Sequence, residues 1–157
     1  MREIKYIIIH CSATKKNHHI TVKDIDLWHK QQGWQGCGYH YVIGRNGFIE
    51  KGRDENVAGA HCKGQNRVSI GVCLAGGIDE NGNAEANFTE TQFNALQDLV
   101  EQLLLRYPTA KVLGHRDFDK SKECPCFDVA KWWDNVSMGD KGIFYKMLED
   151  ENKFNLR

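Results

Sequence analysis

The chain has 157 residues, close to the usual size of one domain, and its hydrophobic (41%) and charged (27%) fractions are ordinary for a globular protein. Its 21 Lys and Arg residues balance 21 Asp and Glu residues, which argues against a nucleic-acid partner. No segment approaches the roughly 20 apolar residues of a membrane span, so no membrane partner is expected either.

Six cysteines are present, enough for three disulfides in an exported protein. The N-terminal segment, however, lacks the charged, apolar and small-residue order of a signal peptide. We therefore expect free thiols in a protein that accumulates in the cytoplasm, with one thiol available as a metal ligand.

The first half of the chain predicts strands, one helix and a hairpin. Residues 4–10 form a β-branched apolar run typical of a buried strand. A capping pattern at Thr21 predicts a helix that ends near Gly33. An Asn-Gly pair between residues 39–43 and 48–51 predicts a hairpin, and residues 68–75 predict another buried strand.

The second half adds helices and one short strand. A Thr-Gln capping pair at residues 89 and 92 starts a long amphipathic helix that Pro108 closes. Residues 111–115 predict a strand, residues 127–135 a short helix and residues 137–157 a helical tail. This alternation predicts one α/β domain over residues 1–157, with a mixed central β-sheet flanked by helices.

Two histidines lie where predicted strands end. His10 ends the first strand and His115 ends the strand at residues 111–115, while Cys124 follows nine residues after His115. Functional sites gather at the carboxyl ends of strands in α/β sheets, so both imidazoles would share one pocket if the strands are parallel neighbours. Two imidazoles and one thiolate form a known catalytic zinc set with a fourth position open for water.

Simpler interpretations of these residues stay open at this point. A strand-end histidine is more often an ordinary hydrogen-bonded residue, and a lone cysteine is usually a small hydrophobic residue. Cys126 competes with Cys124 as third ligand, or could close a structural site as the fourth. Cys11 points away from His10 if the strand continues through it.

Seven short segments follow one another along the chain: residues 9–14 (IHCSAT), 28–34 (WHKQQGW), 38–41 (GYHY), 52–55 (GRDE), 69–74 (SIGVCL), 114–117 (GHRD) and 122–125 (KECP). In this order they resemble the phage-lysozyme type of N-acetylmuramoyl-L-alanine amidase, whose fold is shared with peptidoglycan recognition proteins. The resemblance covers residues from about 4 to about 135 and leaves out the tail.

The resemblance implies a role for each matching residue. His10, His115 and Cys124 match the ligands of one zinc ion. Tyr39 matches the catalytic tyrosine and Lys122 the catalytic lysine. Two further residues match positions that line the substrate groove; they are His61 and Asn66. Without the resemblance, core packing for Tyr39 and a solvated surface position for Lys122 would be the simpler readings.

The implied activity is hydrolysis of the amide between N-acetylmuramic acid and L-alanine in peptidoglycan, as in a phage or prophage endolysin that acts on the cell wall after release. We expect a monomer. Two alternatives are a peptidoglycan-binding module without catalysis and a regulator that binds a polymerase, since a phage relative also inhibits one. Members that only bind peptidoglycan typically lack the ligand cysteine, so Cys124 favours the enzyme.

Overall fold

The computed structural model describes residues 2–155, with side chains through residue 152. Five strands form one sheet: β1 (Tyr6–Cys11), β3 (Tyr41–Ile43), β4 (Ile49–Lys51), β5 (Ser69–Leu74) and β7 (Lys111–Gly114). Two short strands, β2 (Thr14–Lys15) and β6 (Gly77–Ile78), pair separately. Four α-helices complete the fold: α1 (Val22–Gln31), α2 (Glu90–Arg106), α3 (Val129–Ser137) and α4 (Lys141–Asn155). Within the described residues, no helix combines the length and apolarity that crossing a bilayer demands.

The five-stranded sheet has the order β4-β3-β5-β1-β7. β1 lies at its centre and pairs in parallel with both β5 and β7. β3 is parallel to β5, whereas β4 is antiparallel to β3 through the predicted hairpin. The predicted α/β class with a mixed central sheet is confirmed, and the condition that the first and last strands be parallel neighbours is met.

Side chains of the central strands alternate between two apolar layers. Ile7 and Ile9 of β1 belong to the larger core that also contains residues of α2, α3 and α4. Val42 and Cys73 belong to a smaller core beneath α1. Because successive strand residues point to opposite faces, His10 projects from the α1 face of the sheet, together with its register partner Cys73.

Helix starts follow the predicted capping chemistry. Thr21 and Thr89 each accept a hydrogen bond from the backbone N–H three residues on, and the side chains of Asp24 and Gln92 bind back to the capping residues. Each box satisfies backbone donors that a helix start leaves free. Both predicted helix starts are confirmed.

Several predicted boundaries differ from the structure. β1 extends through Cys11, so His10 lies within the strand instead of ending it. β7 ends at Gly114 and His115 opens a short 3₁₀ turn, which Asp117 fixes by accepting the Gly114 N–H at 2.8 Å. The predicted tail helix forms as α4 from Lys141 to Asn155, and residues 156–157 lie outside the described part.

Candidate metal centre

Three side chains that are distant in sequence meet where β1 and β7 end. His10, His115 and Cys124 each offer one ligand atom, and these three atoms lie within 4.8 Å of one another. The imidazole rings of His10 and His115 have centroids 4.6 Å apart. The structure therefore brings together the three ligands predicted from the sequence.

Strand register explains why the two histidines meet. Ile9 of β1 pairs in parallel with Gly114 of β7, so the next residues, His10 and His115, are neighbours across the two strands. His10 is 1% exposed, whereas His115 is partly exposed. One ligand is thus anchored in the sheet, and the other stands at the start of a loop that opens to the surface.

A backbone hydrogen bond and an ion pair hold the loop between His115 and Cys124 in place. The Arg116 N–H donates to the Cys124 carbonyl oxygen at 2.8 Å, which joins the residue after one ligand to the other ligand. Arg116 also forms an ion pair with Glu151 of α4 at 2.5 Å. A side chain at Gly114 would approach Pro125 Cδ to 2.9 Å, so this glycine lets the loop pack closely on β7.

The protonation states of the two histidines suit metal ligation. Burial lowers the pKa of His10 well below its ordinary value, and the nearby rings of His61 and His115 add to the effect. Burial also lowers the pKa of His115. Both imidazoles are therefore neutral at pH 7. Hydrogen bonding with the Cys11 side chain and burial raise the pKa of the Cys124 thiol well above its ordinary value, so this side chain would give up its proton only on binding a metal. The backbone N–H of Cys11, which donates to Cys124 Sγ at 3.2 Å, acts in the opposite direction.

His61 contacts the buried ligand histidine directly. Its Nδ1 lies 2.8 Å from His10 Nε2, and its Nε2 lies 3.2 Å from Ser69 Oγ. Burial lowers the pKa of His61 to about 3, with the positive charges of neighbouring groups contributing. His61 is therefore a neutral ring held between the ligand histidine and a serine.

A cleft of about 550 Å³ opens beside the three donors. Its walls include five residues with a predicted role: Tyr39, His61, Asn66, His115 and Lys122. Tyr39 has its ring centroid 5.1 Å from that of His10. Burial raises the pKa of Tyr39 well above its ordinary value, so the side chain remains a phenol at neutral pH. The predicted catalytic and groove-lining residues thus share one cavity with a ligand histidine.

The Asn66 carbonyl oxygen is already engaged by backbone groups. Asn66 Oδ1 accepts the N–H of His61 at 2.9 Å and the N–H of Cys62 at 3.0 Å. This side chain therefore shapes the segment that carries His61, besides lining the cleft.

The competing cysteines do not join the ligand group. Cys126 Sγ instead donates to the Gly77 carbonyl oxygen at 3.4 Å, and Cys11 belongs to the larger core on the opposite face. Because β1 continues through Cys11, the side chains of Cys11 and His10 point to opposite faces of the sheet, as the alternation of strand residues predicts. Among the described residues, His10, His115 and Cys124 are the one group of three or more His, Cys, Asp or Glu side chains whose ligand atoms converge.

Other cleft residues had no predicted role. His29, Trp34 and Asp119 also line the cavity. The rings of His29 and Trp34 lie 4.5 Å apart, and His29 Nδ1 accepts the Gly38 N–H at 2.8 Å. Both residues belong to the segment at residues 28–34 that carried part of the resemblance, so this segment was the available signal.

The donor set fits a zinc ion. Zinc favours tetrahedral sites built from imidazole and thiolate, with ligand atoms roughly 3.3–3.6 Å apart for bonds of about 2.0–2.3 Å. Donor atoms within 4.8 Å of one another need a shift of roughly 1 Å to reach that spacing. Two neutral imidazoles and one thiolate would leave such an ion a net charge of about +1 and a fourth ligand position for water or substrate, as in catalytic sites.

Comparison with known proteins gives consistent matches over most of the chain. The N-acetylmuramoyl-L-alanine amidase family matches residues 1–127. The endolysin of Klebsiella phage KP32 is 47% identical over 133 residues, which cover 85% of this chain and 87% of that relative. The N-acetylmuramoyl-L-alanine amidase LysC from Clostridium intestinale URNW superimposes with a TM-score of 0.73 at 27% identity. The match covers 88% of this chain and 87% of the LysC chain. Drosophila PGRP-LB superimposes with a TM-score of 0.67 at 28% identity, over 80% and 76% of the two chains.

Proposed function

The chain belongs to the N-acetylmuramoyl-L-alanine amidase family, and on this premise we propose that it is a zinc-dependent endolysin that hydrolyses the N-acetylmuramoyl–L-alanine amide of peptidoglycan. Water adds across this amide, leaving a carboxylate on the lactyl group and a free amino group on L-alanine. The substrate is the cell wall, which an enzyme that accumulates in the cytoplasm meets after release.

One observation carries the proposal. The donor atoms of His10, His115 and Cys124 lie within 4.8 Å of one another, and His115 also lines the cleft of about 550 Å³ that contains Tyr39 and Lys122. A zinc ion held there would supply Lewis acidity for attack of water on the amide. The chain's own residues then have to orient the amide and stabilise the charge that develops.

Tyr39 is suited to donate a hydrogen bond from within the cleft. Its buried phenol keeps its proton at neutral pH, because burial raises its pKa. A phenol O–H close to the ligand histidines can orient the attacking water or donate to the amide oxygen as negative charge develops there.

Lys122 contributes a cation to the wall of the cleft. It lines the cavity near His115 and Asp119, and its backbone N–H donates to the Asp119 carbonyl oxygen at 3.0 Å, which holds the lysine's segment in a turn. An ammonium group there stabilises an oxyanion electrostatically. His61 and Asn66 complete the wall, where we expect them to contact the substrate.

The test is an assay on purified muropeptides with the metal removed and then restored as zinc. We expect chelation to abolish release of peptides bearing a free L-alanine amino terminus, and zinc to restore it, as followed by mass spectrometry. His115→Ala should be inactive, whereas His18→Ala, which changes an exposed histidine outside the site, should match the parent. Full activity of the chelated protein, or products without that amino terminus, would refute the proposal.

A further inference from the structure

A chain of side-chain hydrogen bonds runs from the buried ligand histidine into the sheet. His10 Nε2 lies 2.8 Å from His61 Nδ1, and His61 Nε2 lies 3.2 Å from Ser69 Oγ. Ser69 Oγ in turn donates to the Gln65 carbonyl oxygen at 2.8 Å. The geometry therefore links three polar side chains to one backbone acceptor.

The last hydrogen bond, from Ser69 to a backbone carbonyl oxygen, sets the direction of the other two, because a carbonyl oxygen can only accept. A serine hydroxyl has one proton, and Ser69 gives it to a carbonyl oxygen that can only accept. Ser69 Oγ must then accept from His61, which places the proton of His61 on Nε2. In a neutral imidazole the other nitrogen is an acceptor, so His61 Nδ1 receives its hydrogen bond from His10 Nε2.

We propose that Ser69 and His61 form a relay that fixes the tautomer of His10, so that its Nδ1 lone pair faces the metal position. His61 is then a positioning residue that acts through His10, in addition to any contact with substrate. This inference rests on the proposed zinc site and assigns the ligand atom within it. A metal-ligating histidine commonly uses its second nitrogen in this way.

The surroundings hold the relay in place. Ser69 is completely buried and His10 is 1% exposed, so neither exchanges its partner for bulk water. A Cβ at Gly71 or at Gly59 would come within 2.6 Å of the His61 ring. These glycines leave the ring the space it needs above the sheet, and Asn66 holds the backbone N–H of His61 at 2.9 Å.

The opposite direction of the relay is chemically distinguishable. If Ser69 donated to His61, then His61 Nδ1 would carry a proton and donate to His10 Nε2. His10 would then be protonated on Nδ1 and could not bind a metal through that atom. The two directions thus predict opposite tautomers for both rings, which makes the assignment directly measurable.

The first experiment is a long-range ¹H–¹⁵N correlation spectrum of the imidazole rings in the wild-type protein. We expect His10 and His61 both to carry their protons on Nε2 before zinc is added. On zinc binding, the ¹⁵N resonance of His10 Nδ1 should shift while that of Nε2 keeps its proton. A proton on Nδ1 of either ring would overturn the proposal, and this result does not depend on whether any variant folds.

The second experiment measures zinc affinity by competition with a chromophoric chelator. His61→Leu should weaken zinc binding by roughly 10–100-fold, the usual effect of losing a partner of a metal ligand. Ser69→Ala should weaken it by a smaller factor, because Ser69 acts on His10 only through His61. His61→Gln should bind more tightly than His61→Leu, because its amide oxygen can accept from His10 Nε2. His18→Ala is the matched control, and thermal melting of each variant reports its folding.

The outcomes separate this inference from the proposed function. If the wild type binds no zinc, the proposed zinc hydrolase fails. If the wild type binds zinc and hydrolyses muropeptides while folded His61→Leu retains full zinc affinity, only the relay is refuted.

Discussion

The sequence around Tyr39 and its position in the structure favour different roles for this residue. A tyrosine beside a β-strand is usually a packing residue, yet this one lines the cleft with its ring 5.1 Å from that of His10 and 5.5 Å from that of His29. Burial raises its pKa, so the phenol offers a proton for hydrogen bonding at the pH of the cell. We therefore propose that the hydroxyl group of Tyr39, more than its ring, is the functional part.

The substitution Tyr39→Phe removes the hydroxyl group and keeps the ring, so it tests which of the two matters for hydrolysis. We expect the rate of amide hydrolysis to fall roughly 10²–10³-fold, as for loss of one donor to a developing oxyanion. Zinc affinity should stay unchanged, because the phenol is not among the three ligand groups. Steady-state kinetics on muropeptides and chelator competition measure the two quantities. A variant with wild-type turnover would show that Tyr39 only packs.

Cys124 and Cys126 form a second comparison at the scale of single residues. Cys124→Ser should lower zinc affinity on the order of 100-fold or more, since it removes a ligand and even outer partners contribute about 10–100-fold. Cys126→Ser should keep one zinc per chain, because its thiol contacts Gly77 instead of the ligand group. Metal analysis after dialysis distinguishes them. Loss of zinc from the Cys126 variant alone would reverse the assignment.

At the scale of elements, α2 is attached to the sheet through a buried glutamine. Gln92 is fully buried, and its Nε2 donates to the carbonyl oxygens of Ile43 at 3.1 Å and Ala75 at 2.9 Å. Its Oε1 accepts from the Thr89 N–H and from Arg45. One side chain therefore joins the start of the helix to the ends of β3 and β5.

Gln92→Ala should lower the free energy of unfolding by roughly 2–4 kcal/mol, because it leaves several buried polar groups without partners. Gln97→Ala is the matched control on the same helix. Its side-chain Nε2 donates an exposed hydrogen bond to Glu101 at 3.2 Å, so the change should stay within about 0.5 kcal/mol. Urea unfolding followed by circular dichroism measures both. Equal effects would show that the buried hydrogen bonds carry no net stability.

These elements show what the sequence could and could not predict. The capping boxes at Thr21 and Thr89 are local patterns, so both helix starts were predictable. The burial of Gln92 depends on strands 49 and 17 residues away, which no local pattern reveals.

The metal centre likewise has features that the sequence could predict and features that it could not. The strand ends suggested His10 and His115, but their meeting required the parallel register of β1 and β7. The contact of His61 with His10 spans 51 residues and depends on space left by Gly71. Resemblance suggested a groove position for His61, whereas its hydrogen bonds appear only in three dimensions.

α4 lies beyond the region of resemblance, and the structure packs it on the core. Phe144 is 2% exposed and lies 4.8 Å from Phe93, measured between ring centroids. Phe144→Ala should cost roughly 3–5 kcal/mol, as is usual for a buried aromatic residue. Its neighbour Ile143 is 51% exposed, so Ile143→Ala should change stability by less than about 1 kcal/mol. Chemical denaturation compares them, and a neutral Phe144→Ala would mean that α4 does not pack as described.

At the scale of the whole molecule, Glu55 connects parts of the chain that are far apart in sequence. Its carboxylate accepts hydrogen bonds from Tyr41 of β3 and from Arg106 and Tyr107 at the end of α2. Its backbone carbonyl oxygen accepts from the Arg2 guanidinium near the N-terminus. The sheet, the end of α2 and the N-terminal segment are therefore held together around one residue, the first two through its carboxylate and the third through its backbone.

This carboxylate predicts a defined loss of stability in acid. Burial alone would raise the pKa of Glu55, but the hydrogen bonds from Tyr41, Arg106 and Tyr107 outweigh it, and the folded-state pKa lies below the ordinary value of 4.5. The unfolded chain therefore binds a proton at higher pH than the folded one. The stabilisation from Glu55 is complete above the unfolded pKa and is lost as pH falls through the folded pKa.

Glu55→Gln should consequently lower the free energy of unfolding at pH 7 by roughly 1–2 kcal/mol, a value reduced by solvent screening because Glu55 is only partly buried. The difference from wild type should shrink as the pH falls below 4.5, and it should vanish once wild-type Glu55 is protonated in the folded state too. Urea unfolding at pH 7 and pH 3 measures it, with Glu101→Gln on the exposed face of α2 as control. A Glu55→Gln deficit of the same size at both pH values would show that the charge of the carboxylate does not stabilise the fold.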